Sequence, residues 1–193
     1  MLSINLAGRI AVVTGASGEL GRVMCRTLAD CGADIAIHYF RNQQKAESLA
    51  EEITKKGRKT ILVQADVTDQ ESVFSMRDEI VKTLGTPQII VNNAVVQYSW
   101  TSVLDQAIDD YESQFQSCVL QNVLMAKAFV PSMIEANYGR VIGINTECAM
   151  QTFKNQSAYV AGKRGMDGIF RVLAKEIGEH QITVNQVAPG WTI

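Results

Sequence analysis

The sequence predicts an α/β protein built around a doubly wound parallel sheet. Short apolar segments rich in β-branched residues alternate with longer segments of amphipathic helical spacing along the 193 residues. Glycines lie between these segments, as expected for turns between strands and helices. No linker or repeat divides the chain, so we expect residues 1–193 to form a single domain.

The first strand and the turn after it are the most informative stretch. A strand is predicted at Ile10–Val13 and a helix at 20–31, and the turn between them carries Gly15, Gly18 and Gly21. A helix start offers unpaired N–H groups and a positive dipole end, and glycines let a pyrophosphate approach them closely. The spacing is not G-x-G-x-x-G, so a plain turn without a ligand is the alternative.

The remaining elements continue the alternation. Strands are predicted at 34–39, 60–65, 88–92, 140–144 and 182–187. Helices are predicted at 43–56, from 69 to about 84, within 103–137 and at 158–178. Pro131 should kink or break the third of these helices. Repeated βα units imply right-handed crossovers, with ligands bound at the carboxyl ends of the strands.

Charge and composition argue against several classes of function. The net charge is −2 and the basic residues are scattered, so we expect no nucleic-acid partner. The N-terminus has no basic stretch followed by a long apolar one, and we expect no membrane-spanning segment, which favours the cytoplasm. The two histidines, His38 and His180, lie far apart, which argues against a metal site or a serine hydrolase triad. The cysteines show no C-x-x-C spacing and are expected to be free: Cys25, Cys31, Cys118 and Cys148.

Six short motifs follow one another in a fixed order. They are Thr14-Gly15 with Gly21, Asp66-Val67, Asn92-Asn93-Ala94, Gly139-Arg140-Val141, Tyr159 with Lys163, and Val187-Ala188-Pro189-Gly190. With these motifs in register, the sequence resembles the short-chain dehydrogenase/reductase family, nearest in pattern to its ketoacyl-carrier-protein reductase and glucose dehydrogenase types. The resemblance covers nearly the whole chain and implies a three-layer αβα fold of the Rossmann type.

The resemblance implies a catalytic role for four positions. Tyr159 would protonate a carbonyl oxygen during hydride transfer, and Lys163 would hold the nicotinamide ribose and lower the tyrosine's pKa. Thr146 stands at the family's serine position, where a hydroxyl orients the substrate. Cys118 stands at the family's helix asparagine; because a thiol cannot replace a carboxamide in a proton relay, slow turnover is expected, unless Cys118 reflects local repacking.

The residues themselves agree with this assignment. Tyr159 and Lys163 share one helix face at i and i+4, and a nearby ammonium favours tyrosinate over tyrosine. On its own such a pair is typical of an exposed helix surface, where the lysine extends to water. The five other motifs favour the catalytic interpretation.

The resemblance also implies a set of residues that bind a nicotinamide dinucleotide. They lie after the first, second, third, fourth and sixth strands and in the catalytic pair: Gly15, Ser17, Gly18, Glu19, Leu20, Gly21, Arg41, Asp66, Val67, Asn93, Ala94, Tyr159, Lys163, Pro189, Gly190 and Thr192. The second strand ends near Arg41 and has no acid there to accept from a ribose diol. We therefore expect NADP(H) to be preferred, with NAD(H) as the alternative.

Several positions depart from the family pattern. Glu19 replaces the middle loop glycine, so its carboxylate either stands where the pyrophosphate should lie or swings outward and complements the helix dipole. Val95 replaces the glycine after Asn92-Asn93-Ala94 and either crowds the adenosine side or repacks locally. The sequence ends at Trp191-Thr192-Ile193, whereas family members continue through a substrate-covering segment and a seventh strand. The given residues therefore lack both and resemble a C-terminally incomplete domain: either the chain is longer than these residues, or it is a truncated form with an open cleft.

The leading interpretation is an NADP(H)-dependent oxidoreductase that interconverts a small-molecule ketone and a secondary alcohol. The resemblance implies a homodimer or homotetramer formed through the helices of 109–137 and 158–178. Gly162, Gly165 and Gly168 would permit close helix approach there, unless they only admit the sheet. Two other functions stay open: a nucleotide-binding or structural homologue without turnover, and an S-adenosylmethionine-dependent methyltransferase, against which the Tyr159/Lys163 pair argues.

Overall fold

The computed structural model describes residues 4–190. Its strands are β1 (Ile10–Val13), β2 (Asp34–Tyr39), β3 (Thr60–Gln64), β4 (Ile89–Asn92), β5 (Gly139–Ile144) and β6 (Ile182–Val187). Its helices are α1 (Glu19–Asp30), α2 (Gln43–Lys55), α3 (Gln70–Thr83), α4 (Ile108–Phe115), α5 (Gln121–Glu135), α6 (Cys148–Gln151) and α7 (Ser157–Ile177). Gln116–Leu120 forms a π-helical segment between α4 and α5, and Gly178–His180 a 3₁₀ turn after α7.

The described strands form one parallel sheet in the order β3-β2-β1-β4-β5-β6. The central strands β1 and β4 are buried throughout because helices cover both faces, which explains why their sequences are apolar up to the polar Asn92 at the end of β4. Along β1 the side chains alternate between two cores: Val12 packs with Phe129 on one face, and Val13 packs with Leu49 on the other. The predicted doubly wound αβα fold is confirmed, and its strand order reverses between β1 and β4.

The helices begin and end where local chemistry favours it. Asn42 and Asp69 cap α2 and α3 by accepting hydrogen bonds from backbone N–H groups three residues on. Gly32, with φ of +101°, follows α1 and turns the chain towards β2. The short helix α6 and the π-helical segment were not predicted from the sequence.

The predicted helical region over 103–137 is narrower in the structure, from Ile108 to Glu135. Pro131 lies inside α5 without ending it, so a break there was the wrong alternative. The sequence also predicted no segment able to span a membrane, and by length and composition alone this was wrong. The helical segment Ile108–Glu135 is long enough and apolar enough to cross one. More than half of the most apolar part of this segment is nevertheless buried inside the protein, as in a core helix.

Candidate active site

The loop after β1 is shaped by two of its glycines. Gly15 has φ of +63°, and a Cβ there would lie 3.0 Å from the Cα of Ala94 in the loop after β4. A Cβ on Gly21 would lie 2.3 Å from the carbonyl oxygen of Gly15. Gly18 precedes α1 as its N-cap residue, so the unpaired N–H groups of the first helical turn follow at once. The loop leaves a side-chain-free approach to a helix start, which suits a pyrophosphate.

Thr14 and Asn93 join this loop to the end of β4. The Thr14 hydroxyl oxygen accepts from the backbone N–H groups of Asn93 at 2.9 Å and Ala94 at 3.0 Å. The Asn93 amide donates to the carbonyl oxygens of Thr14 at 3.0 Å and Gly15 at 3.2 Å. Two motifs that lie far apart in the sequence thus form one clamp at the point where the strand order reverses.

A cleft of about 770 Å³ opens between the loops that follow β1, β2, β3 and β4. All eleven cofactor residues predicted from these loops line it: Gly15, Ser17, Gly18, Glu19, Leu20, Gly21, Arg41, Asp66, Val67, Asn93 and Ala94. Its lining also includes residues that sequence reasoning missed, among them His38, Phe40, Asn42, Thr68 and Ser117. Val95, the departure from the family's glycine, lines the same cleft.

Glu19 is turned to the outer side of the cleft. Its side chain is 77% exposed and forms ion pairs with Arg22, one turn later, and with Lys45 of α2 at 3.4 Å. The Arg22 hydrogen bond is the main reason why the pKa of the Glu19 carboxyl is lowered. This is the outward orientation of the two that the sequence left open.

Arg41 is exposed at the end of β2. Its guanidinium lies 5.1 Å from the centroid of the Phe40 ring. Within the described residues 4–190, no carboxylate pairs with it. The guanidinium is therefore available to a ligand anion in this cleft.

Tyr159 lies in the first turns of α7 and is partly buried between aromatic neighbours. Its backbone N–H donates to the Tyr98 hydroxyl at 2.7 Å, and the Trp100 ring stacks on its ring with a centroid distance of 6.2 Å. Burial raises the pKa of the Tyr159 phenol, and the Thr146 side chain acts in the opposite direction. Thr146, only 8% exposed, therefore faces the phenol from the end of β5.

Lys163 is 4% exposed and donates from Nζ to the Ile144 carbonyl oxygen at 2.6 Å. Nζ lies 5.7 Å from the centroid of the Tyr159 ring. Burial lowers the pKa of Lys163. The expected lowering of the Tyr159 pKa by this lysine is not what the structure has: the pKa of Tyr159 is raised, because loss of solvent outweighs the favourable contacts of the phenol.

Cys118 lies in the π-helical segment and is fully buried. Its Sγ donates to Oε1 of Gln114 at 3.7 Å, and its Cβ would lie 3.0 Å from a Cβ on Gly162 of α7. Burial raises the pKa of the thiol, whereas nearby Lys163 acts to lower it. The position predicted from the family's asparagine is therefore near Lys163 but filled by a small, tightly packed side chain.

The three glycines of α7 have different neighbours. A Cβ on Gly162 would lie 2.9 Å from the Gln114 carbonyl oxygen, and one on Gly165 would lie 2.8 Å from Val119. A Cβ on Gly168 would meet no atom within 4 Å. Gly162 and Gly165 therefore admit the π-helical segment and the end of α4, rather than the sheet, and only Gly168 faces open space.

The turn after β6 lies beside the end of β5. The Glu147 N–H donates to the Pro189 carbonyl oxygen at 3.0 Å. A Cβ on Gly190 would lie 3.0 Å from the Glu147 carboxylate, so the turn and this side chain are in close contact. Thr192, the last predicted cofactor residue, lies outside the described residues. Among residues 4–190 no group of three or more His, Cys, Asp or Glu could hold a metal ion.

A parallel sheet with a glycine loop and a cleft at the reversal of its strand order defines a dinucleotide-binding protein of the Rossmann type. The family model described as short chain dehydrogenase matches residues 9–193. The chain belongs to the short-chain dehydrogenase/reductase family and is an NAD(P)-dependent oxidoreductase. The resemblance stated from the motifs is confirmed.

Curated relatives cover almost the whole chain. It is 34% identical over 192 residues to a short-chain type dehydrogenase/reductase of Picea abies, covering 96% of this chain and 71% of the relative. It is 33% identical over 189 residues to the 3-oxoacyl-[acyl-carrier-protein] reductase FabG of Pseudomonas aeruginosa, covering 97% and 75%.

Two solved structures share the fold at 27% sequence identity. NAD⁺-bound xylitol dehydrogenase matches with a TM-score of 0.92, covering 96% of this chain and 71% of that one. A metagenomic short-chain oxidoreductase in complex with NADP matches with a TM-score of 0.90, covering 96% and 84%. One of these neighbours holds NAD⁺ and the other NADP, so the choice of cofactor must be argued from this chain's own residues.

Proposed function

We propose that the protein is an NADP(H)-dependent enzyme that interconverts a small-molecule ketone and a secondary alcohol. The observation that carries the proposal is the grouping of Tyr159, Thr146 and Lys163 at the carboxyl edge of the sheet. There a phenol faces a hydroxyl and lies one helical turn from a buried ammonium. In this arrangement the phenol can donate a proton to a carbonyl oxygen while the Thr146 hydroxyl orients that oxygen.

The residues of the cleft fit a dinucleotide. Gly15, Gly18 and Gly21 would place the pyrophosphate at the start of α1, where a Cβ at Gly15 or Gly21 would disturb the loop itself. Asp66 and Val67 would border the adenine, and Pro189 and Gly190 the nicotinamide. When bound, the nicotinamide supplies or accepts the hydride.

Three side chains of the site have separate roles in the proposed reaction. Tyr159 Oη donates its proton to the carbonyl oxygen during reduction and takes it back during oxidation. The Thr146 hydroxyl would orient that oxygen, and Lys163 would hold a ribose hydroxyl of the bound cofactor. Burial raises the pKa of Tyr159, so the phenol carries its proton at neutral pH and can donate it during ketone reduction.

A preference for NADP(H) is supported by charge at the end of β2. Arg41 is exposed and has no carboxylate partner in the described part of the chain, so it can pair with a 2′-phosphate. Tyr39, Phe40, Arg41 and Asn42 include no acid that would accept from a ribose diol. The second candidate function is a homologue that binds the nucleotide with little or no turnover, favoured by the thiol at Cys118.

We further propose a homodimer or homotetramer of a single-domain chain in the cytoplasm. Apolar side chains are exposed on α4 and α7, including Ile108 at 70%, Phe115 at 51% and Val172 at 55%. Gly168 leaves open space on α7 for a neighbouring helix. The four cysteines are free, which suits a reducing compartment. Light scattering at micromolar concentration tests the assembly, and a monomer contradicts it.

The enzymatic proposal is tested by NADPH fluorescence on titration with the protein, followed by turnover of a ketone panel. We expect NADPH binding and reduction of at least one ketone. Binding without turnover of any ketone would favour the nucleotide-binding homologue instead. Absence of binding to both NADPH and NADH would contradict both functions.

A further inference from the structure

His38 is a polar residue in the otherwise apolar part of β2 that lies beneath the cofactor cleft. It is only 1% exposed, and its strand pairs with β3 at Val63. The imidazole bridges two loops: the Gly15 N–H donates to Nδ1 at 2.9 Å, and Nε2 lies 3.0 Å from the Ala65 carbonyl oxygen. The backbone carbonyl of His38 also accepts from the Ala16 N–H at 2.8 Å.

These two contacts determine the state of the ring. A backbone N–H can only donate and a carbonyl oxygen can only accept, so Nδ1 must carry a lone pair and Nε2 a hydrogen. His38 is therefore a neutral imidazole in a single tautomer. Burial lowers its pKa, which agrees with the neutral form.

The two ends of the bridge are the two walls of one cleft. Gly15 is the residue whose positive φ shapes the loop at the start of α1. Ala65 immediately precedes Asp66, whose carboxylate accepts from the Thr68 N–H at 2.9 Å and shapes the loop after β3. On its other side Gly15 is held through its carbonyl by the Asn93 amide at 3.2 Å. The imidazole thus lies between the loop after β1 and the loop after β3 and is hydrogen-bonded to both.

We propose that His38 is a positioning residue for the dinucleotide: by accepting from Gly15 and donating to Ala65, it holds the two loops at the spacing that receives the cofactor. The residue acts through these loops and touches no reacting atom. The proposal rests on the nucleotide-binding function proposed above. Loss of the imidazole would leave the partly buried Gly15 N–H and the buried Ala65 carbonyl without these partners, and the loops would relax to satisfy them.

Three substitutions separate the two halves of the bridge. His38→Asn places an amide oxygen near the position of Nδ1 and keeps an acceptor for Gly15. His38→Gln places an amide nitrogen near the position of Nε2 and keeps a donor for Ala65 without the acceptor for Gly15. His38→Ala removes both. Each purified variant is measured for NADPH dissociation constant by fluorescence, for kcat at saturating NADPH, and for thermal unfolding midpoint.

We expect His38→Ala and His38→Gln to weaken NADPH binding about tenfold, the order that an unpaired, partly buried N–H costs. His38→Asn should stay within about threefold of wild type, and kcat at saturating NADPH should change less than about twofold in all three. The proposal is overturned if His38→Gln binds NADPH as tightly as wild type does. It is also overturned if the loss of NADPH affinity in the three variants is simply proportional to their loss of thermal stability. The Asn and Gln variants decide the matter even if the Ala variant does not fold. If wild type binds neither NADPH nor NADH, the proposed function has failed rather than the role of His38.

Discussion

The Lys163 ammonium lies 5.7 Å from the centroid of the Tyr159 ring while donating to the Ile144 carbonyl oxygen at 2.6 Å. The lysine is therefore anchored to the end of β5 and at the same time beside the phenol. This anchoring holds a buried cation in place, because the carbonyl replaces part of the solvation that it has lost. The tyrosine and lysine thus form one unit across α7 and the sheet.

We expect Tyr159→Phe to lower kcat by about 10²-fold or more and to leave NADPH affinity nearly unchanged. The change removes the acid, whose contribution is typically about 10²- to 10⁴-fold, and keeps the ring that stacks on Trp100. Lys163→Ala is the contrasting variant and should weaken both turnover and NADPH binding. A loss of less than about threefold in kcat for every active substrate of Tyr159→Phe would contradict the mechanism.

Cys118→Asn should raise kcat by roughly an order of magnitude, because it restores a carboxamide for proton relay beside Lys163. The site is tight, since Cys118 is fully buried and packs on Gly162. Cys118→Ser is the size-matched control and should bring little gain. Equal turnover in all three forms, measured at saturating NADPH in samples of equal thermal stability, would mean that Cys118 serves only packing.

Arg41→Ala should weaken NADPH binding about tenfold or more and leave NADH binding unchanged, because only NADPH carries the 2′-phosphate that the guanidinium would pair with. Arg77→Ala, which changes a half-buried guanidinium on α3 paired with Asp78, is the control for net charge. Dissociation constants for both cofactors provide the measurement. Tighter binding of NADH than of NADPH by wild type would refute the preference.

Glu19→Gln should tighten NADPH binding by a few fold at low ionic strength. Glu19 borders the cleft and its carboxylate engages Arg22 and Lys45, so its removal frees two cations and takes away a nearby charge that repels phosphate. The side chain is largely exposed, so the effect is small and should disappear at about 1 M salt. Glu47→Gln, on the exposed surface of α2, is the matched control, and an equal gain there would show a general charge effect.

The free energy of unfolding should fall as the pH drops below about 6.5, in part through His38. Burial lowers the pKa of His38, although Asp66 opposes the shift, so the unfolded chain binds this proton at a pH where the folded chain does not. Below about 6.5 the proton therefore stabilises the unfolded state, by at most about 1.4 kcal/mol for each pH unit. Denaturant titrations at several pH values should show a smaller acid loss for His38→Asn than for wild type. Equal losses would contradict the assignment.

Much of the fold is determined by local properties of the sequence. β1, and β4 as far as Asn92, are apolar because helices cover both faces of a parallel sheet, and such strands can be recognised without knowing their neighbours. Gly15 and Gly21 mark the loop because no other residue fits its backbone. The i, i+4 spacing of Tyr159 and Lys163 depends only on the helix period.

Other features were decided by contacts between residues far apart in the sequence. The sequence left open whether Glu19 points inward or outward, and ion pairs with Arg22 and Lys45 hold it outward. It left open what the α7 glycines admit, and Gly162 proved to lie against Gln114 and Cys118.

His38 shows the limit most clearly. In the sequence it is one histidine in an apolar strand, far from the other histidine, and no metal site or triad is predicted at it. Its role depends on Gly15, 23 residues earlier, and Ala65, 27 residues later, which only the parallel pairing of β1, β2 and β3 brings to the two sides of one ring. Periodicity and capping act over a few residues and therefore determine the elements, whereas the hydrogen bonds of a buried polar group depend on which strands become neighbours.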